Sequence, residues 1–277
     1  MKKLIAMDMD GTLLRSDKTI SPRTAAALLR AQQAGAIVAL ASGRPTIGLQ
    51  RYAGQLELAR YGGLLVAYNG ARVIDCRSGG LLLDRPIPPA QARAVLEHIR
   101  KFDVITMFDR GDTMYVRDVY TADICLHGRT FNVVQYESRA CGYLLCEKAD
   151  LAAFVDFPLS KIQTAADPEY LQAHWREMAA PFAGELNCMF TSEFYFEYMA
   201  PCVDKADALD GVLGRLGLTW ADVVAFGDSE NDIAMLRRAG QSYAMANAAE
   251  SVRQAAGGVT LSNDADGIAA VVETLPL

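Results

Sequence analysis

Histidine is scarce, with three in 277 residues, and none of the six cysteines (Cys76, Cys125, Cys141, Cys146, Cys188, Cys202) forms a Cys-x-x-Cys pair. A zinc site has little to build on, and the thiols read as buried or free in a reducing compartment, not as a disulfide framework. Positive charge is also short: 27 Lys and Arg against 33 Asp and Glu leave a formal charge of -6. Such a chain lacks the electrostatic footprint of a nucleic-acid or anionic-membrane partner. A small phosphorylated partner stays open, because local donors and a metal can outweigh the overall field. No window holds the uncharged apolar run that a transmembrane helix needs. Met1-Lys2-Lys3 leads into an apolar run that meets Asp8 too soon for a secretory leader. The expectation is a cytoplasmic protein with no nucleic acid and no membrane partner, as a monomer or homodimer.

What is present is ordinary for a folded protein: 51% apolar and 22% charged residues. The length suits one large domain or two modest ones. Residues 3–7 read as a buried strand. Ser21-Pro22 then opens a helix, with Ser as N-cap and Pro at the first helical position. Residues 36–41 form a second apolar strand, Pro45 starts another helix, and residues 64–67 a third strand. This alternation predicts a parallel sheet with helices on both faces. After Asn69-Gly70 the rhythm changes, beginning with a hairpin around Ser78-Gly79-Gly80. Mixed strands and helices follow to about residue 198. From Asp204, a predicted N-cap, the first rhythm resumes. The reading is an α/β chain with a Rossmann-like, doubly wound parallel sheet core (residues 1–85 and 199–277) and an inserted α/β cap domain (residues 86–198).

Four segments carry chemistry. Asp8-Met9-Asp10-Gly11-Thr12 leaves the first strand at its carboxyl end, the edge where open α/β sheets bind ligands. Two carboxylates so close are unfavourable unless a cation holds them, and Mg²⁺ takes carboxylate and phosphate oxygens in one shell. One carboxylate can attack phosphorus while the other moves the proton. Ser42-Gly43-Arg44-Pro45 follows the second strand; its hydroxyl and the helix-start N–H groups suit an anionic oxygen, but taken alone it reads as a helix start, with Ser42 as N-cap and Pro45 in the first turn, and Arg44 as readily faces solvent as adds charge. Lys205 sits in a first helical turn, where the dipole disfavours a cation unless an anion is near. Gly227-Asp228-Ser229-Glu230-Asn231-Asp232 follows a fourth apolar strand. Asp228 can complete a metal shell, Asn231 can donate to phosphate and Asp232 can brace the shell. An acidic helix start is the plainer alternative.

In this order, the four segments resemble the motifs of the haloacid dehalogenase-like (HAD) superfamily, and most of all its Cof-type phosphatases. Asn69-Gly70 and Asn263-Asp264-x-Asp266-Gly267 are similar to that branch too. The resemblance spans the chain. It implies Asp8 as nucleophile and Asp10 as acid/base. It implies Mg²⁺ held by the Asp8 side chain, the Asp10 carbonyl and Asp228, with Asp232 behind them. Phosphate would contact Met9 N–H, Ser42, Gly43, Lys205 and Asn231. The chain departs from the pattern at Ala206, where many relatives carry Gly, and at Met245-Ala246-Asn247-Ala248, where they often show Gly-Asn-Ala. The implied activity is Mg-dependent hydrolysis of small phosphate monoesters, either sugar phosphates or phosphorylated cofactors such as FMN or pyridoxal phosphate. Two alternatives share these residues: a phosphosugar mutase, and a sugar- or cofactor-binding regulator without turnover.

Overall fold

A computed structural model describes residues 3–276. Met1 and Lys2, on which the expectation of no secretory leader rests, lie outside the described residues, as does Leu277. The chain divides into two compact units, one built from the segments up to Asp84 and from Asp204 onward, the other from Arg85–Val203. The expected border after residue 198 falls inside a strand, Tyr195–Met199, and the division lies instead at the Val203/Asp204 junction, where a new helix is capped.

The first unit starts with β1 (Leu4–Met7), α1 (Pro22–Gln33), β2 (Ile37–Ala41), α2 (Thr46–Gln55), α3 (Leu58–Tyr61), β3 (Leu64–Ala67), β4 (Arg72–Asp75) and β5 (Leu81–Asp84). The inserted unit holds α4 (Pro89–Ile99), β6 (Ile105–Arg110), β7 (Thr113–Val116), β8 (Asp123–Leu126), β9 (Arg129–Asn132), α5 (Val133–Cys141), β10 (Leu144–Glu147), α6 (Leu151–Phe154), β11 (Ile162–Ala165), α7 (Pro168–Ala179), β12 (Asn187–Ser192) and β13 (Tyr195–Met199). The first unit then resumes with α8 (Lys205–Leu213), β14 (Val223–Gly227), α9 (Ile233–Arg238), β15 (Gln241–Ala244), α10 (Glu250–Ala255), β16 (Gly258–Val259) and α11 (Gly267–Val272).

The first unit's sheet has eight strands in the order β16-β15-β14-β1-β2-β3-β4-β5. From β16 to β3 all pairs are parallel; β4 and β5 add an antiparallel edge. Every residue of β1, β2, β3 and β14 is buried, as expected of parallel strands covered on both faces. Leu4, Ala6, Ala39, Val66 and Ala225 pack with α8 and α9, and α1 and α2 lie against β2 and β3. Ser21 caps α1 by accepting from Thr24 N–H at 3.0 Å, with Pro22 in the first turn. The helix expected to start at Pro45 has Pro45 as its N-cap and ends at Gln55; Glu57, at a left-handed φ of 52°, separates it from α3.

The inserted unit has a six-stranded sheet, β10-β7-β6-β11-β13-β12, and a separate hairpin, β8-β9. Phe108, Phe196 and Tyr198 on one face of the sheet pack with Val95, Leu96, Leu151, Leu171 and Met178 from α4, α6 and α7. No helix of the described residues is long and apolar enough to cross a membrane.

Candidate active site

In the first unit, β14, β1, β2 and β3 are consecutive neighbours. The residues that follow them, Asp228, Asp8, Ser42 and Asn69, therefore leave one sheet edge side by side. Asp8 N–H continues the ladder, donating to the Phe226 carbonyl at 3.1 Å. This fixes where the Asp8 side chain starts.

Lys205 reaches the same edge from the start of α8. Asp204 caps that helix by accepting from Asp207 N–H at 2.7 Å. Gly70, with φ 103°, brings the β3 loop against the Asp204 carbonyl so closely that a Cβ there would overlap it. Glycine is required at that approach. The Lys205 ammonium is fully buried and donates to Asp8 Oδ1 at 2.5 Å and to Asp232 Oδ1 at 2.6 Å. Burial disfavours its charge, but the Asp232 and Asp8 carboxylates outweigh this and hold Lys205 protonated above the usual lysine range.

Asp228 accepts from the Thr12 hydroxyl at 2.6 Å and from the Ser229 hydroxyl at 3.2 Å. The other oxygen of Asp232 accepts from Asp228 N–H and Ser229 N–H, both at 3.0 Å. Asp8, Asp228 and Asp232 each offer a carboxylate oxygen within 4.8 Å of the others. Burial pushes the Asp8 carboxyl up to about 8; Lys205 opposes this, and the Asp232 and Asp228 charges add to it. Burial likewise raises Asp228, against the Thr12 hydrogen bond.

Asp10 points elsewhere. Its carboxylate accepts from Arg44 Nε at 2.6 Å and Nη2 at 2.8 Å, and from Lys18 Nζ at 2.8 Å. Burial alone would raise its pKa, but the Arg44 hydrogen bond and charge, with Lys18, hold it at about 2. Ser42 is buried, and its hydroxyl accepts from Arg44 N–H at 3.1 Å. A Cβ on Gly43 would stand 3.1 Å from Asn69 Oδ1, and Asn231 Nδ2 donates to that same Asn69 oxygen at 2.9 Å. Met9 is fully buried beneath the loop. The structure thus brings Asp8, Lys205, Asp228 and Asp232 together, Asn231 beside Gly43 through Asn69, and Asp10 onto Arg44.

Residues 5–272 match the family model for haloacid dehalogenase-like hydrolases. The chain belongs to the haloacid dehalogenase-like hydrolase family. Among its relatives is an HMP-PP phosphatase of Serratia proteamaculans, 31% identical over 90% of this chain and 85% of that one. Another is the pyridoxal phosphate phosphatase YbhA of Escherichia coli, 27% identical over 96% of each. A solved haloacid dehalogenase-like hydrolase from Bacteroides thetaiotaomicron superimposes with a TM-score of 0.90, at 30% identity and covering 99% of both chains. The chain is accordingly an enzyme of the HAD-like phosphatase family.

The donor set of this HAD-like site fits a hard divalent cation. Three carboxyl groups, Asp8, Asp228 and Asp232, share one ammonium, Lys205, so that when ionised they carry more negative charge than it can offset. All the donors are oxygen, which suits Mg²⁺ and not a soft metal. Within this cluster Asp232 gives one oxygen to the Lys205 ammonium and the other to the Asp228 and Ser229 N–H groups.

Sequence reasoning missed Thr12 and Lys18 and left Arg44 as a solvent-facing alternative. Asn69 was noted only as part of a motif. It and Tyr68 adopt left-handed φ values of 54° and 52°, a strain that clusters at functional sites. Gly11 could have been read more fully. It has φ 84°, and a Cβ there would overlap the Asp228 carboxylate. Gly11→Ala should lose about 1–2 kcal/mol of stability from the left-handed backbone alone, and should weaken Mg²⁺ binding by displacing Asp228. Urea unfolding and Mg²⁺ titration calorimetry check the two effects.

Proposed function

We propose that the chain is a Mg²⁺-dependent phosphatase for small phosphate monoesters that works through an acyl phosphate on Asp8. The observation that carries this is the buried Lys205 clamped between Asp8 and Asp232, with Asp228 beside them at the carboxyl ends of β1 and β14. Lys205 holds the Asp8 carboxylate by one oxygen, so its attack on phosphorus is pre-aimed. The P–O bond to the leaving group breaks as the Asp8 O–P bond forms, and the leaving oxygen takes a proton from Asp10. Water then attacks the acyl phosphate, gives its proton to Asp10, and frees phosphate and Asp8. Asp8, Asp228 and the Asp10 carbonyl would hold Mg²⁺, which when bound neutralises charge on the phosphoryl oxygens.

In its pairing with Arg44 and Lys18, Asp10 is ionised and a poor acid. Its proton-transfer role requires the Arg44 bonds to loosen when substrate binds, while Lys18 keeps the carboxylate in place. A phosphate dianion competes for the Arg44 guanidinium. Ser42, Gly43, Met9 N–H and Asn231 complete the phosphate site, with Asn69 orienting the last.

We assign catalysis to the unit carrying these residues and substrate choice to the Arg85–Val203 unit, as a cap. The relatives named for HMP-PP and pyridoxal phosphate support a small phosphorylated metabolite, a sugar phosphate or a cofactor such as FMN or pyridoxal phosphate. A panel of such esters should release inorganic phosphate with Mg²⁺, lose turnover in EDTA and regain it on added Mg²⁺. Full turnover in chelator would refute the metal assignment. Isomer formation from a sugar phosphate primed by its bisphosphate, without phosphate release, would make the enzyme a mutase.

A further inference from the structure

The Asn263–Asp266 segment, more than two hundred residues from the first motif, has no part in the chemistry above, yet its side chains converge on the loop that carries Asp10. Asn263 Nδ2 donates to the Leu14 carbonyl at 2.8 Å. Asn263 N–H donates to Asn247 Oδ1 at 3.2 Å, and Asn247 Nδ2 donates to the Gly11 carbonyl at 2.8 Å. Asp264 takes both Ser16 N–H, at 2.9 Å, and the Ser16 hydroxyl, at 2.6 Å. Asp266 pairs with Arg15 at 3.4 Å and accepts from the Thr24 hydroxyl at 3.4 Å. Asp266 does so from a left-handed φ of 58°, and the next residue, Gly267, lies so close to the Leu261 carbonyl that a Cβ there would overlap it. Strained backbone held in place by its surroundings is a feature of working segments.

On the far side of these bonds the loop closes on itself and presents a cation. Arg15 N–H donates to the Thr19 carbonyl at 2.9 Å, and Lys18 N–H to the Arg15 carbonyl at 2.9 Å. Lys18 is left-handed at φ 63°, its carbonyl accepts from the Tyr52 hydroxyl at 3.1 Å, and its ammonium reaches Asp10. We propose that Asn247, Asn263, Asp264 and Asp266 are positioning residues. They clamp the segment from Gly11 to Thr19 and, through Lys18, set the orientation of the Asp10 carboxylate. The catalytic half of this inference rests on Asp10 being the acid/base.

Asp264→Ala removes two bonds to Ser16 at the surface, and Ser16→Ala removes one of them from the loop side. In hydrogen exchange of the full chain, Asp264→Ala should speed exchange at Ser16, Lys18 and Thr19 while leaving β1 and β14 protected, with Ser16→Ala intermediate. On a phosphate ester with Mg²⁺, kcat should fall about 10- to 100-fold, as expected of a small misplacement, with KM within about twofold, since the lost interaction is not uniform binding. Asp264→Asn keeps an acceptor for Ser16 N–H and an amide that can donate to the hydroxyl, so it should restore most of kcat and of the protection. Unchanged exchange in Asp264→Ala overturns the clamp. Faster exchange with wild-type kcat overturns its role in catalysis. A wild type that hydrolyses no ester removes the phosphatase reading and with it the catalytic half, and the exchange data still decide the clamp.

Discussion

Asp8→Asn should lower kcat by about four orders of magnitude or more, the scale seen when a nucleophile is removed from a site that keeps its other parts. The amide keeps the shape of the carboxylate but has no oxygen anion to form the O–P bond. The variant should also remain folded. Burial outweighs the Lys205 ammonium and, with the Asp232 and Asp228 charges, pushes the Asp8 carboxyl up to about 8; Lys205 keeps Asp232 when Asp8 is replaced. Ionised Asp8 is therefore a burden on the metal-free fold, and a neutral amide removes it. The urea midpoint without metal should stay at or above that of the wild type. A variant that is inactive and unfolded would leave loss of structure as the cause, so unfolding and activity must be measured on the same preparation.

The second large effect is on stability. Lys205 has no exposure and sits between two buried carboxylates. Removing one partner of a buried ion pair leaves its counterpart uncompensated and costs about 3–5 kcal/mol. Lys205→Met fits the aliphatic space but strands the Asp232 charge and takes a hydrogen bond from Asp8, so a loss within that range is expected in urea unfolding. Adding Asp232→Asn should recover part of it, because the stranded charge is gone and the two sites are in direct contact. A Lys205→Met variant as stable as the wild type would show that the ammonium carries no such weight.

Much of this site was legible because its pieces obey local rules. Apolar runs too short for helices, each ended by Asp, Ser or Gly-Asp, announced parallel strands and their carboxyl-end loops. Asp204 announced a helix start, and its cap bond is present. The pairings made across the sheet edge were not legible. Thr12 and Asp228 meet although 216 residues separate them, and no periodicity in either segment records the other. Asp10 was read as facing Asp8 because the two are near in sequence; the bidentate Arg44 contact turns it away. In the inserted unit, α5, β10, α6 and β11 were passed over, since short elements of four to nine residues give too little period to read. The β8-β9 hairpin did leave a signal. His127 and Gly128, with φ 49° and 75°, form a two-residue connection, and such loops favour a primed turn ending in Gly.

The proposed reaction passes through a covalent bond between phosphorus and the side chain of residue 8. It is tested by quenching the enzyme during turnover with a phosphate ester and Mg²⁺, reducing with borohydride, and sequencing the N-terminal peptide by mass spectrometry. An acyl phosphate is reduced where a free carboxylate is not, so homoserine should replace aspartate at position 8, and only when substrate is present. Unmodified Asp8 in an enzyme that is turning over, or homoserine at another position such as Asp10 or Asp228, would rule out Asp8 as the nucleophile.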